Sequence, residues 1–227
     1  MKSPRKIVIA IDGPAASGKS TTAKLVAREL GYLHVDTGAM YRAIALKVVE
    51  EKIPLDSEAT IRSIAESASI RLESEDGKQN VFLNGRNVTR EIRSPAVTKA
   101  VSRVSSYQSV RDVLVREQRA VASGGGVVLE GRDIGTVVLP HAELKIFMSA
   151  NVAERARRRK KDLSDAGVDI GESDLVREII ERDRLDSSRT VSPLKKADDA
   201  VELDTSNLTI EEQVAYIVKR ARSIIGT

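Results

Sequence analysis

Short apolar runs alternate along the chain with longer stretches of helical composition. Ile7-Val8-Ile9-Ala10-Ile11 is the first run and reads as a buried strand. Lys19 to Leu30 follows as a helix, with no Pro or Gly before Gly31. Tyr32-Leu33-His34-Val35 reads as a second strand ending at Asp36. Asp36 to Arg42 then reads as a turn leading into a helix that runs to about Lys52 and is stopped by Pro54. Asp56 or Ser57 can cap the next helix, to about Ala68. Later core strands are expected at Val127–Leu129, Leu144–Met148 and Val201–Leu203. Helices are expected at about Gln108–Ala122, from Asn151 through the basic stretch to Lys161, at Ser173–Ser187 and at Ile210–Ile225. Asp162 to Gly171, polar with two glycines, reads as a short mobile loop. Five strands alternating with helices predict an α/β fold, a five-stranded parallel sheet with helices on both faces.

One interval breaks this rhythm. Ile70 and Leu72 alternate with polar residues, and Asp76-Gly77 marks a turn before Val81-Phe82-Leu83. Asn84-Gly85 marks another before Arg86-Asn87-Val88. Asp-Gly and Asn-Gly between β-prone runs predict hairpins, so a small three-stranded antiparallel meander is expected inside the α/β domain. Ser94-Pro95 then reads as the cap and first position of a helix to about Ser105.

Composition narrows the chemistry. The 227 residues suffice for one α/β domain with a sizeable core. No cysteine is present, which excludes disulfides, thiolate metal sites and a cysteine nucleophile. With two histidines, a His-rich metal site is not expected, and His34 and His141 read as structural or exposed. The net charge is only +4 and aromatic residues make up 3%, so neither charge nor base stacking calls for a nucleic-acid polymer. The run at Ile7–Ile11 is shorter than the roughly 7–15 apolar residues of a signal peptide, and no stretch approaches the ~20 of a membrane span. A cytoplasmic enzyme is the expectation.

The stretch Gly13-Pro14-Ala15-Ala16-Ser17-Gly18-Lys19-Ser20 satisfies the phosphate-binding pattern G-x-x-x-x-G-K-[ST] between a strand and a helix. The glycines let backbone N–H groups turn inward around a phosphate, and the helix N-terminus adds partial positive charge. Lys19 can reach the β- and γ-phosphates of a nucleotide, and the Ser20 hydroxyl can ligate magnesium.

Arginines are the second feature. Arg182, Asp186 and Arg189 share one helix face, as do Arg155, Arg158 and Arg159. Taken alone, each set reads as a solvated face with local ion pairs. Arg132-Asp133 follows a core strand at the edge where open α/β sheets bind ligands, and charge there is poor core filler. Arg42 follows the second strand similarly. Arginines gathered near a phosphate loop suit phosphoryl transfer, in which catalysis is mostly positioning and electrostatics. A phosphate acceptor, already a dianion near neutral pH, needs clamping rather than a base.

At this point the chain resembles the bacterial cytidylate kinases. The resemblance rests on Asp12–Thr21, Asp36-Thr37-Gly38-Ala39-Met40-Tyr41-Arg42, Glu130-Gly131-Arg132-Asp133-Ile134-Gly135-Thr136-Val137-Val138, and Arg182-Asp183-Arg184-Leu185-Asp186-Ser187-Ser188-Arg189. It covers nearly the whole chain. It implies one nucleoside monophosphate kinase domain over residues 1–227, with a monophosphate-binding insertion at about 38–105 and a lid at about 157–171. By this resemblance Asp12, Gly13, Pro14, Ala15, Ala16, Ser17, Gly18, Lys19, Ser20 and Thr21 hold ATP, with Mg²⁺ at Ser20. Arg42, Arg132 and Arg189 clamp the CMP phosphate, Arg182 and Asp186 contact the ribose, and Ser102, Arg111 and Asp133 read cytosine. Arg157 and Arg158 are lid arginines near the transferred phosphoryl. Thr37 stands where the family more often has serine, and the hydroxyl contact is expected to survive. Ser20 stands where some members have glycine, which bears on how magnesium is held.

The implied activity is transfer of the γ-phosphoryl of ATP to CMP or dCMP by a monomeric enzyme. Two alternatives are a phosphate-loop kinase for another small acceptor, such as UMP or shikimate, and a nucleotide-switch ATPase. A switch needs a residue to position water, and no obvious glutamine beside a switch loop offers itself. The arginines and the meander also lack a role there.

Overall fold

The computed structural model describes residues 5–75, 78–165 and 170–226. The chain forms two compact units, one made of the residues up to His34 together with Gly125 onward, the other of Val35–Gly124.

The first unit is built on a five-stranded parallel sheet. Its strands are β1 (Val8–Asp12), β2 (Leu33–Asp36, in which the chain passes to the second unit), β6 (Val127–Gly131), β7 (Leu144–Ser149) and β8 (Val201–Asp204). Their order is β2-β6-β1-β7-β8, with β1 central and paired parallel to both β6 and β7. Such a strand needs apolar residues in succession, which Val8-Ile9-Ala10-Ile11 supplies. Ile9 and Ile11 join Val128, Ile146 and Met148 in one core with Ala23, Val26 and Ala27 of helix α1 (Lys19–Leu30) and Ile217, Val218 and Ala221 of helix α8 (Ile210–Ile225). Thr209 caps α8 with Glu212 in a reciprocal capping box. The buried pair Thr22 Oγ1 to Gln213 Oε1, 2.7 Å, ties α1 to α8.

Two further helices complete this unit, α6 (Val152–Asp165) and α7 (Glu172–Ser187). Asn151 Oδ1 accepts from Glu154 N at 2.8 Å, as a cap should. The expected loop at Asp162–Gly171 is shorter than its polarity suggests. Asp162–Asp165 continue α6, and α7 begins at Glu172. Leu163 explains the difference, because it packs on the cluster of Ala156, Leu175 and Ile179 and extends the apolar stripe of α6 by another two turns. Residues 166–169, at the centre of the expected loop, lie outside the described residues.

The second unit holds helices α2 (Thr37–Glu50), α3 (Glu58–Ser67), α4 (Pro95–Val104) and α5 (Gln108–Ala122) and the meander β3 (Ile70–Glu75), β4 (Lys78–Leu83) and β5 (Arg86–Asn87). The meander is antiparallel in the order β3-β4-β5, as the hairpin signals predict. Asn84 and Gly85 take φ of 51° and 82°, the backbone a two-residue hairpin turn requires. The other expected turn, Asp76-Gly77, lies outside the described residues. Val81, Leu83 and Val88 close over Ile44, Val48, Ile61, Ile92 and Leu114 in a core of the unit's own. Where a turn is expected at Asp36–Arg42, helix α2 starts directly at Thr37, since the Asp36 carboxylate accepts from Ala39 N at 3.1 Å and caps it.

Candidate active site

In the first unit, the carboxyl end of β1 leads into the phosphate loop. A Cβ on Gly13 would lie 2.2 Å from Met148 O, so only glycine fits where the loop leaves the sheet. Ala16 and Gly18 take φ of 58° and 90°, left-handed conformations that turn successive N–H groups to one side. Gly18 caps α1 without a side-chain hydrogen bond, and the first turn of α1 carries no acidic residue. That helix end keeps its N–H groups and partial charge for an anion. The Ser17 hydroxyl is buried with no partner among the described residues, as expected of a group awaiting a ligand. Lys19 Nζ crosses the loop to Pro14 O at 3.1 Å. These groups fit a nucleotide phosphate.

Asp12, the last residue of β1, serves the loop that follows its sheet neighbour β6. Its two carboxylate oxygens accept from Ile134 N (2.8 Å) and Gly135 N (2.7 Å). These amides open a π-helical turn, Ile134–Val138, in which Asp133 O accepts from Val137 N and Val138 N. Burial pushes Asp12 up to about 6, against the two amide hydrogen bonds, with Asp133 adding repulsion and Arg132 opposing it. A raised carboxyl stabilises the fold fully below its unfolded value of 3.8, and that contribution is lost as pH rises through about 6. The rise is worth ~3 kcal/mol. The wild type minus Asp12→Asn difference in unfolding free energy is therefore expected to fall by about that amount between pH 4 and pH 7, measured by urea denaturation at each pH.

Glu130, at the end of β6, is 1% exposed and links two residues. Ser20 Oγ donates to Oε2 at 2.6 Å, and His34 Nε2 lies 3.0 Å from Oε1. Burial opposes ionisation of Glu130, but His34, Lys19 and Ser20 together hold it below the ordinary carboxylate range. Ser20 donates its proton to Glu130, which leaves its oxygen lone pairs for a cation. His34 is thus structural in the sense expected of it, and His141 is exposed. No sequence spacing signals the pairing, which arises because β2 and β6 are neighbours in the sheet.

Of the arginines expected to gather near the phosphate loop, Arg132 and Arg189 meet at Asp186. Arg132 Nε donates to Asp186 Oδ2 at 2.8 Å, and Arg189 donates to Oδ1. Burial raises this carboxyl, but Arg132, Arg189 and Arg182 outweigh it and hold it low. Asp133 is buried beside the cluster's strand. Arg158 donates to Ser17 O (3.1 Å), Thr205 Oγ1 (3.0 Å), Thr205 O (2.6 Å) and Glu154 Oε1 (2.8 Å), which places it against the phosphate loop. Arg157 points outward, 68% exposed, and pairs with Glu154. Arg157 first, then Arg158, hold Glu154 down to about 2. Arg155 and Thr205, for which no role is expected from sequence, also touch the loop, at Ala15 O (3.3 Å) and Ser17 O (3.0 Å).

In the second unit, Arg42 donates to Ile92 O (3.1 Å) and Thr98 Oγ1 (3.0 Å), and Thr37 is buried in the first turn of α2. Arg111 is buried, donates to Ser105 O at 3.3 Å and lies 5.3 Å over the Tyr41 ring. Ser102, on α4, is half-buried.

Comparison with known proteins completes the picture. The family model described as cytidylate kinase matches residues 9–223. A cytidylate kinase of Pelotomaculum thermopropionicum is 52% identical over 213 residues, 93% of this chain and 94% of the relative. A cytidylate kinase of a Geobacillus species is 51% identical over 220 residues, 97% and 98% of the two chains. Among solved structures, a shikimate kinase from Bacteroides thetaiotaomicron covers 98% of this chain and 100% of its own, with a TM-score of 0.50 and 12% identity, a likeness of fold.

Proposed function

The chain belongs to the cytidylate kinase family, and from that premise we infer how its residues divide the work. The enzyme transfers the γ-phosphoryl of ATP to CMP or dCMP, giving ADP and CDP or dCDP. The observation that carries the division is the contrast within the first unit. The loop has amides, a buried Ser17 hydroxyl and Lys19, which suit a polyphosphate, while Arg132 and Arg189 are gathered on one carboxylate.

On this reading Asp12–Thr21 hold ATP. Asp12 does so indirectly, by fixing the Ile134–Val138 turn. The divalent metal that such a kinase uses is proposed to be magnesium, with Ser20 as its protein ligand, oriented by Glu130. Held there, magnesium would neutralise charge on the nucleotide phosphates. Arg132 and Arg189 clamp the CMP phosphate, and Arg182 and Asp186 contact the ribose. Arg42 and Thr37 are assigned to the same phosphate, and Ser102, Arg111 and Asp133 to the base. Of the lid pair, Arg158 is the one held at the loop, and Arg157 contributes from the exposed face of α6. The proposal also includes a single kinase domain, with the insertion at about 38–105 as its monophosphate-binding part and 157–171 as its lid, and a monomeric, cytoplasmic enzyme. Incubation with ATP and each nucleoside monophosphate, following ADP, tests the activity. CMP and dCMP are expected to be the best acceptors, and ATP loss independent of any monophosphate would overturn it.

Base selection gives a sharper expectation. Cytosine's N4 amine donates, whereas uracil presents an O4 acceptor there, so a carboxylate favours cytosine and repels uracil. Asp133→Ala is expected to lower the CMP-to-UMP ratio of kcat/KM about tenfold to 150-fold. Arg111→Ala is expected to weaken both substrates. Equal losses for CMP and UMP in Asp133→Ala would mean that Asp133 only positions its neighbours.

A further inference from the structure

Two carbonyls of the phosphate loop are held by side chains from far along the chain. Ser17 O is held by Arg158 and Thr205. Ala15 O accepts from Arg155 Nη1 at 3.3 Å, and that guanidinium is in turn paired with Asp183 Oδ2 of α7 at 2.6 Å. Arg155 is buried, with its side chain 5% exposed. Between the two carbonyls lies Ala16, a residue with a Cβ held at φ 58°, a conformation that disfavours any L side chain. The Arg155–Asp183 pair is also a poor choice as plain structural glue. Among the described residues Arg155 Nε and Asp183 Oδ1 are buried without partners, and a half-satisfied buried pair stabilises less than apolar packing would.

We propose that Arg155, oriented by Asp183, is a positioning residue for the phosphate loop. By holding Ala15 O it keeps the Ala15–Ala16 peptide turned, so that Ala16 stays left-handed and the loop amides converge on the nucleotide. The inference rests on the loop being the ATP site. It goes beyond the role assignments above because Arg155 touches neither substrate there.

Arg155→Met removes the donor at similar length. Arg155→Lys keeps the charge but not the fork. Asp183→Asn leaves Arg155 in place with a weaker anchor. Releasing Ala16 from its conformation is worth a factor of about 5–30 in an equilibrium. Accordingly KM for ATP, and the Kd of a fluorescent ATP analogue measured without acceptor, are expected to rise by about that factor in Arg155→Met, nearly as much in Arg155→Lys, and less in Asp183→Asn. KM for CMP is expected to stay near wild type. A purely structural role would lower melting temperature without this split. Wild-type ATP affinity in folded Arg155→Met or Arg155→Lys overturns the proposal, as does an equal rise in both KM values. Lys19→Ala measured alongside separates the premises. If it loses activity while the Arg155 variants bind ATP normally, only the positioning role falls; if it too is unaffected, the site falls with it.

Discussion

Lys19→Ala is expected to lower kcat about 100- to 1,000-fold with the fold retained, the cost of removing one preorganised charge from a developing transition state. The side chain supports this separation of activity from stability. It is buried at the mouth of α1, yet its ammonium bonds a loop carbonyl, Pro14 O, rather than filling apolar space. Its charge also favours ionised Glu130, the acceptor of the Ser20 proton, so the variant loses both the phosphate contact and part of the field that keeps Ser20 oriented. Turnover at saturating ATP and CMP, with circular dichroism and a thermal melt on the same sample, checks both halves. Near-normal turnover in a folded variant would refute the site.

Asp186→Ala is expected to cost more in stability than any other single change in the site, about 3–5 kcal/mol. For a chain of this size that lowers the melting temperature by roughly 6–20 °C. The carboxylate is 2% exposed and draws together Arg132, Arg189 and Arg182. Its removal takes away the carboxylate whose charge these three arginines share. Because folding holds this carboxyl below its ordinary value, its contribution is present above the usual aspartate range and is lost only as pH falls through the still lower folded value. That is opposite in sign to Asp12, whose contribution fades on the way up to neutrality. Asp186→Asn keeps the shape and one carbonyl acceptor and is expected to recover part of the loss. A melt unchanged in Asp186→Ala would show that the arginines are solvated rather than clamped.

Much of this was legible in sequence where a local rule decides. The strand, phosphate loop and helix come from one contiguous stretch, and α1 runs over Lys19–Leu30 as its composition predicts. Asn84-Gly85 makes the hairpin its φ angles require. Ser94-Pro95 opens α4 as cap and first position. What sequence hid depends on neighbours far along the chain. Leu163 looks like one apolar residue in a mostly polar loop until α7 supplies its partners. Asp12 reads as part of the phosphate loop, but its oxygens serve residues more than a hundred positions later. Arg155 stands in a basic run where any arginine looks like surface, and only the fold brings Ala15 O and Asp183 to it. Asp36 is a different case, a capping residue present in the sequence and read as part of a turn.

The division of the chain also bears on how it is made. The Val35–Gly124 unit is contiguous and has its own core, so it can begin folding as soon as it is synthesised. Strand β1 cannot, because both of its partners, β6 and β7, lie beyond Gly125. At common translation speeds, a Val-Ile-Ala-Ile edge with both sides unpaired waits on the order of ten seconds behind the ribosome. When the later strands arrive, the intervening unit is already compact. The loop that must be closed is then far shorter in effect than its sequence length, and the central strand, oldest in synthesis, is among the last to be paired.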